Sequence, residues 1–257
     1  MMQLDFNVVL VRHYHSASQI ARILTENWVA DNMFCSRCGN SHIEHFENNR
    51  PVADFFCPKC RNEYELKSKN GNLGNKITDG AYETMIERIT GNKNPDFFFM
   101  SYTKEDLRVV DFVFIPKNFF VPSIIEKRKP LQETARRAGW VGCNILLDRV
   151  PEEGRISIVS HGIVGDVESV VKKVERSARL QTNNIESRSW IMDVLRCINQ
   201  IQDCEFSLDD MYGFETELQK THPRNNSIRP KIRQQLQFLR DMGFIEFGER
   251  GKYKKIL

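Results

Sequence analysis

Apolar residues recur along this chain at two spacings. After Ser16, the positions Ile20, Ile23, Leu24 and Trp28 return every three or four residues, which predicts an amphipathic helix with one face on a core. Residues 97–102 and 109–115 are instead short, nearly unbroken apolar runs rich in Phe, Val and Tyr, and these predict two buried strands. A short apolar run at 7–11 precedes the helix, and residues 64–67 read as a brief strand. The Gly- and Asn-rich residues 69–75 read as a loop. Residues 79–89 predict a helix with Met85, Ile86 and Ile89 available for packing, and residues 155–159 with the Gly-containing turn after them predict a last hairpin. Strands interleaved with helices give an α/β core.

A change of pattern follows. Residues 177–189 carry little apolar content, so we place a domain boundary near Asn183, separating residues 1–182 from 183–257. Beyond it, helical patterns run over 190–201, 207–218 and 227–241, with Trp190 read as core and with Ser207 and Asp210 spaced as a capping box. Two strands at 244–247 and 252–256, joined across 248–251, close the chain. Three helices and a basic two-stranded wing predict a C-terminal winged helix. In its last helix Ile228, Ile232, Leu236 and Leu239 share one face. Arg229, Lys231, Arg233, Gln234, Gln235 and Gln237 are left mostly outward, and Arg and Gln match guanine and adenine edges in the major groove. Residues 220–257 hold ten Lys or Arg against three Asp or Glu, an excess that calls for an anionic partner, and Lys252, Lys254 and Lys255 of the wing suit phosphates.

Composition narrows the class. With 257 residues, 40% hydrophobic and 28% charged, the chain has the balance of a soluble globular protein, which excludes disorder. The first residues lack a signal-peptide h-region and no apolar run approaches membrane-spanning length, so a cytoplasmic protein without membrane contact is expected. In a reducing compartment its seven cysteines read as metal ligands and buried thiols, with Cys143, Cys197 and Cys204 in the second group. Cys35 and Cys38 form one Cys-x-x-Cys pair, and Cys57 and Cys60, separated from it by 18 residues, form another. That spacing predicts one structural four-thiolate zinc site, closed to substrate. His42 and His45 are rival ligands by residue type.

Candidate chemistry flanks the second pair on both sides. Pro51 and Asp54 make Pro-x-x-Asp, and after ten intervening residues Glu65, Leu66 and Lys67 make Glu-x-Lys. Side chains alternate along a strand, so Glu65 and Lys67 share a face while Leu66 points to the core. If Asp54 ends an adjoining strand, its carboxylate converges with that of Glu65 on a divalent cation, magnesium or manganese by its oxygen ligands. Asp54, Glu65 and Leu66 are assigned to this cation. Lys67 would orient or deprotonate a water, and Glu63, of the same strand parity, is a weaker candidate for a supporting carboxylate.

These residues are also recognisable. Residues 48–54 (Asn-Asn-Arg-Pro-Val-Ala-Asp), 65–67, 134–144 (Thr-Ala-Arg-Arg-Ala-Gly-Trp-Val-Gly-Cys-Asn) and 232–237 (Ile-Arg-Gln-Gln-Leu-Gln) closely resemble the DpnI family of restriction endonucleases, over essentially the whole chain. The resemblance implies a PD-(D/E)xK nuclease, a monomer that uses magnesium to cleave double-stranded GATC sites only when the adenine is methylated, with both domains reading the methylated sequence. It implies catalytic roles for Asp54, Glu65 and Lys67, and zinc ligation by Cys35, Cys38, Cys57 and Cys60. Methylation of the adenine amine adds an apolar group to the major groove, so a reader must offer apolar contact. Trp140, preceded by Arg136 and Arg137 in a Gly-containing loop, is the candidate in the nuclease domain, against an ordinary core role. Two other functions compete: a methyl-DNA-binding regulator that does not cut, and a nuclease of repair or RNA processing indifferent to methylation.

Overall fold

A computed structural model describes residues 2–47, 53–91, 93–249 and 251–256. Helix α1 (Ala17–Asn32) buries Leu24, Trp28 and Val29, as its period predicts. Two short strands, β1 (Glu44–His45) and β2 (Phe55–Phe56), lead into β3 (Glu63–Asn70). After the loop come β4 (Lys76–Ala81), α2 (Tyr82–Thr90), β5 (Asp96–Thr103) and β6 (Arg108–Ile115). The strands β7 (Ile125–Lys127), β8 (Gly142–Leu146), β9 (Ile156–Ser160) and β10 (Ile163–Val164) follow, and then α3 (Val167–Ala178).

One seven-stranded sheet, in the order β1-β2-β3-β5-β6-β9-β10, organises this part. Among the described residues only β3 and β5 run parallel; their crossover carries β4 and α2. Strand β5 is buried along nearly its whole length, which is why it reads as a continuous apolar run. Its Phe98 and Met100 pack with α1 and α3 on one face, while Phe97 and Phe99 pack with α2 on the other. A second sheet, β4-β8-β7, lies on that second side, contributing Ile77, Ile125 and Ile145.

The predicted helix at 79–89 begins only at Tyr82, because Asp79 pairs with Cys143 in β8 and closes a strand. A partner more than sixty residues away leaves no local trace. Helix α3 and strand β8 likewise have no counterpart in the sequence reading; α3 holds its place through Val170 and Val174, which with Val167 and Val171 recur at helical spacing although β-branched residues weaken helix propensity.

In the C-terminal part, α4 (Ile185–Gln200), β11 (Glu205–Ser207), α5 (Leu208–Tyr212), α6 (Glu215–Thr221) and α7 (Ile228–Asp241) precede the wing strands β12 (Ile245–Phe247) and β13 (Lys252–Lys255). The Ser207–Asp210 capping box forms, but the single helix expected over 207–218 is two, broken at Gly213 and Phe214. The wing sheet gains a third strand, in the order β11-β13-β12. Pro230 sits in the first turn of α7, where its missing N–H leaves no helical bond unmade.

The sequence suggested a separating linker, yet the two parts share one hydrophobic core. Phe97 and Phe120 belong to the same buried cluster as Trp190, Leu195, Ile232 and Leu236. Polar bonds cross the junction as well: Arg188 Nη2 donates to the Ile89 carbonyl at 2.9 Å, Ser123 Oγ to Asp193 at 3.1 Å, and the Glu152 N–H to Asn199 at 3.0 Å.

Asp96, fully buried at the start of β5, holds the other end of the sheet together. It accepts two bonds from Arg37 at 2.7 Å, one from Asn62 at 2.8 Å and one from the Lys117 N–H at 2.7 Å. Removing one partner of a buried ion pair strands the other without compensation. Asp96→Ala is therefore expected to lower stability by about 3–5 kcal/mol, read as the shift of the denaturant midpoint at unchanged slope.

Candidate active site and nucleic-acid interface

Cys35, Cys38, Cys57 and Cys60 converge, with all four sulfurs within 4.8 Å of one another. The closest approaches are Cys35 to Cys60 at 3.5 Å and Cys38 to Cys57 at 3.7 Å. Thiolates at about 2.3 Å from a tetrahedral zinc lie about 3.8 Å apart, so the four sulfurs fit that ion. Both knuckles are wired alike. The Gly39 N–H donates to the Cys35 carbonyl and the Arg61 N–H to the Cys57 carbonyl, each at 2.9 Å. Gly39 (φ 69°) and Arg61 (φ 61°), each four residues after the first cysteine of its pair, are both left-handed. In the second knuckle that conformation falls on a non-glycine residue, a strained choice for a turn that is held regardless. His42 and His45 stand outside the cluster; His45 Nε2 lies 3.2 Å from Glu26 on α1 instead.

The second knuckle is the turn of a hairpin. Phe55 pairs with Tyr64 and Phe56 with Glu63, so the ladder carried one step further sets Asp54 against Glu65. The Asp54 N–H donates to the Tyr64 carbonyl at 2.9 Å, and the Leu66 N–H donates to Asp54 Oδ2 at 2.7 Å. Pro51 lies outside the described residues, as do 48–50 and Val52. On β3, Tyr64 is fully buried, its ring stacked on Phe98 and its hydroxyl 3.0 Å from Cys35 Sγ. Leu66 packs beside it against the same core. Glu65 and Lys67 occupy the opposite face, as alternation predicts. Burial pushes the Asp54 carboxyl above its ordinary pKa; the Leu66 N–H pulls it back, and the charges of Glu65 and Glu26 push it up again. Such a carboxylate favours a nearby cation.

Two residues that the sequence did not single out complete this site. Arg88 of α2 donates to Glu65 Oε2 at 2.7 Å, while Lys67 Nζ lies 2.6 Å from Glu65 Oε1 and forms a second ion pair with Asp79 Oδ1. Burial alone would lower the Lys67 pKa, but the Glu65 and Asp79 carboxylates raise it overall. Reading 79–89 as all helix hid Asp79, since its facing residue depends on the β4–β8 pairing. Glu63 is half-buried next to Asn62, away from this cluster in the pairing register.

Two basic surfaces lie elsewhere. The loop between β7 and β8 exposes Arg128, Lys129, Arg136 and Arg137. Trp140 is half-exposed in it, with its ring so close over Gly142 that a Cβ there would meet Cη2 and Cζ3 at 2.8 Å. Trp140 is thus no core residue, whereas Trp190 is fully buried. In α7, Arg229, Arg233, Gln234 and Gln237 are exposed. Arg229 lies over the Tyr212 ring and pairs with Glu215 at 2.8 Å, and Arg233 donates to the Tyr212 hydroxyl at 2.6 Å.

Three residues of the expected reading surface are placed differently. Gln235 is buried with only 5% exposure, because it falls on the flank of the Ile232–Leu236–Leu239 stripe. Lys231 is half-buried, its Nζ over the Trp190 ring. Strand parity separates the wing lysines: Lys252 and Lys254 face outward, while Lys255 shares the side of buried Tyr253 and donates to the Ile201 carbonyl.

Among the described residues, no helix is long and apolar enough to cross a membrane. Comparison with known protein families matches residues 2–183 to the DpnI model, described as the Dam-replacing family, and residues 186–255 to the Dam-replacing helix-turn-helix domain. An α/β sheet carrying two facing carboxylates and a four-cysteine cluster, joined to a helical domain with an exposed basic helix, agrees with both matches. The chain belongs to the DpnI (Dam-replacing) family of restriction endonucleases, with a DNA-binding helix-turn-helix domain at its C-terminal end.

Proposed function

We propose that this protein cleaves double-stranded DNA at GATC sites carrying methylated adenine, by hydrolysis of a phosphodiester that depends on magnesium or manganese. It acts as a monomer in the cytoplasm, with residues 1–182 as the nuclease and 183–257 as the winged helix. The observation that carries the reading is the pairing of β2 with β3, which sets Asp54 opposite Glu65 with Lys67 on the same face.

Asp54 and Glu65 would hold the divalent cation, and Leu66 has only its backbone carbonyl to add. So few protein ligands suit magnesium, which keeps most of its positions for water and substrate phosphate. When bound, the cation stabilises charge on the phosphate under attack. Lys67, between two carboxylates, serves as an ammonium donor that orients the attacking water or a phosphate oxygen; of the two roles read from the sequence, this geometry supports orientation. Arg88 balances the charge of Glu65 from the other side. Zinc in the four-cysteine cluster would anchor the fold without entering the reaction, as its closed donor set leaves no open position.

Methyl recognition falls to Trp140 in the nuclease loop, with Arg136 and Arg137 on phosphates. In the winged helix, Arg229, Arg233 and Gln234 face the groove and Lys252 and Lys254 the backbone. Lys231, Gln235 and Lys255 are left to packing.

Plasmid carrying methylated GATC should be cut in magnesium and left whole in EDTA, with unmethylated plasmid resistant; binding of both without cutting would point to a regulator, and equal cutting to a methyl-blind nuclease. Asp54→Ala and Lys67→Ala should each reduce cleavage below roughly one per cent of the parent with DNA binding retained. Metal analysis should find about one zinc per chain, and Cys57→Ser should lose zinc and unfold the nuclease part, since a closed thiolate site contributes directly to folding; a zinc-free, fully folded parent would sink this. Trp140→Ala should narrow the ratio of methylated to unmethylated cleavage by about fourfold per methyl group contacted, the equivalent of roughly 0.8 kcal/mol. An unchanged ratio in the folded variant would remove Trp140 from recognition.

A further inference from the structure

Lys67 draws its position from two directions. Glu65, two residues away on the same strand, holds it at 2.6 Å, and Asp79 holds it from the second sheet. All three side chains are largely withdrawn from solvent, Asp79 most of all at 6% exposure. The Asp79 backbone is fixed opposite Cys143 in β8, and the β4–β8 register shifts immediately after it, between Asp79 and Ala81. Such an irregularity in a ladder re-aims a side chain, and here the re-aimed carboxylate meets the lysine.

The two contacts differ in what the proposed reaction asks of them. Glu65 has to turn an oxygen toward the divalent cation, and its second oxygen already accepts from Arg88. Its hold on Lys67 therefore weakens when the metal binds. Asp79 has no such competing duty: among the described residues, it forms no cluster of three metal-ligating groups with Asp54 and Glu65.

We propose that Asp79 is the positioning residue for Lys67, keeping its ammonium aimed at the reacting phosphate once Glu65 has turned to the metal. This inference rests on the catalytic reading of Asp54, Glu65 and Lys67. A lysine side chain has four rotatable bonds, and with Glu65 committed elsewhere Asp79 is the ion-pair partner that remains, among the described residues, to fix its tip. Asp79 touches neither metal nor substrate; it acts through Lys67.

The test uses the full-length enzyme and methylated duplex under single-turnover conditions, with DNA affinity measured in calcium and the magnesium requirement measured by titration. Asp79→Ala is expected to slow cleavage by roughly a hundredfold, the scale of an ångström-sized misplacement, with DNA affinity and the magnesium half-saturation point unchanged. Asp79→Asn keeps the size and one acceptor oxygen, and should recover about tenfold of that loss; it also decides the matter if Asp79→Ala fails to fold. A parent-like rate in folded Asp79→Asn and Asp79→Ala overturns the proposal. So does a raised magnesium requirement with full rate at saturation, which would make Asp79 a metal group, or a loss of affinity in step with rate, which would make its role structural. Lys67→Ala is run alongside. If it cleaves like the parent, the catalytic reading itself fails; if it is inactive while both Asp79 variants are parent-like, only the inference about Asp79 fails.

Discussion

The register between β2 and β3 is the constraint on which the chemistry of this chain depends. A slip of one residue in a ladder turns every side chain to the opposite face. Here β3 is fixed by its seven-residue pairing with β5, so a slip would turn β2 over, bringing Phe55 out of the core and carrying Asp54 away from Glu65. The strand β2 has only two residues, too few to specify its own pairing. The knuckle between the strands supplies what length does not. Cys57 and Cys60 are tied across to Cys35 and Cys38, Tyr64 reaches Cys35 from the core face of β3, and Asn62 and Arg37 meet on Asp96. A short hairpin is thus clamped from three sides, and Asp54 can face Glu65 only in this register.

On the other face of β3 most of the charge is paired, with the carboxylates of Asp54, Glu65 and Asp79 set against the cations of Lys67 and Arg88. Glu65 is held by Lys67 and Arg88, Lys67 by Glu65 and Asp79, and Asp54 accepts a backbone N–H. Burial is the main push on the Asp54 carboxyl above its ordinary pKa, the Glu65 and Glu26 carboxylates add to it, and the Leu66 N–H and Lys67 pull it back. A divalent cation held here, as proposed above, would compete with Lys67 and Arg88 for Glu65, and its binding would then be coupled to the orientation of Lys67.

The residues that were legible in the sequence are those whose role is written in local spacing. The cysteine pairs, the Glu-x-Lys alternation, the buried strands β5 and β6 and the capping box at Ser207 need only their near neighbours to be recognised. Asp79, Arg88 and β8 were not legible, because each takes its meaning from a partner brought in by the chain's path: Cys143 opposite Asp79, Glu65 opposite Arg88. Gln235 and Lys255 show the same limit at a finer scale. Helical and strand periodicity place them at the border of a face, and only the packing of Leu236 beside the one and Tyr253 beside the other decides that they turn inward. A low apolar count over 177–189 suggested a tether, although Ser177 itself is buried and its carbonyl accepts from Asn118.

The shared core also fixes how the two exposed basic surfaces are placed relative to one another. Two recognition modules joined by a flexible tether sample many relative placements, and the second binding event gains from the first in proportion to how often the tether allows it. Here α4 is at once the first helix of the winged helix and a wall of the nuclease core, with Trp190 and Leu195 fully buried in the shared cluster. The separation between the nuclease loop and α7 is then set by packed side chains. Changing it requires breaking the bonds of Arg188 to Ile89, Ser123 to Asp193 and Glu152 to Asn199 together, and exposing apolar surface that interiors resist exposing. The core runs through the proposed boundary near Asn183, so if both surfaces bind DNA, a substrate that suits one in the wrong placement for the other would gain nothing from their connection.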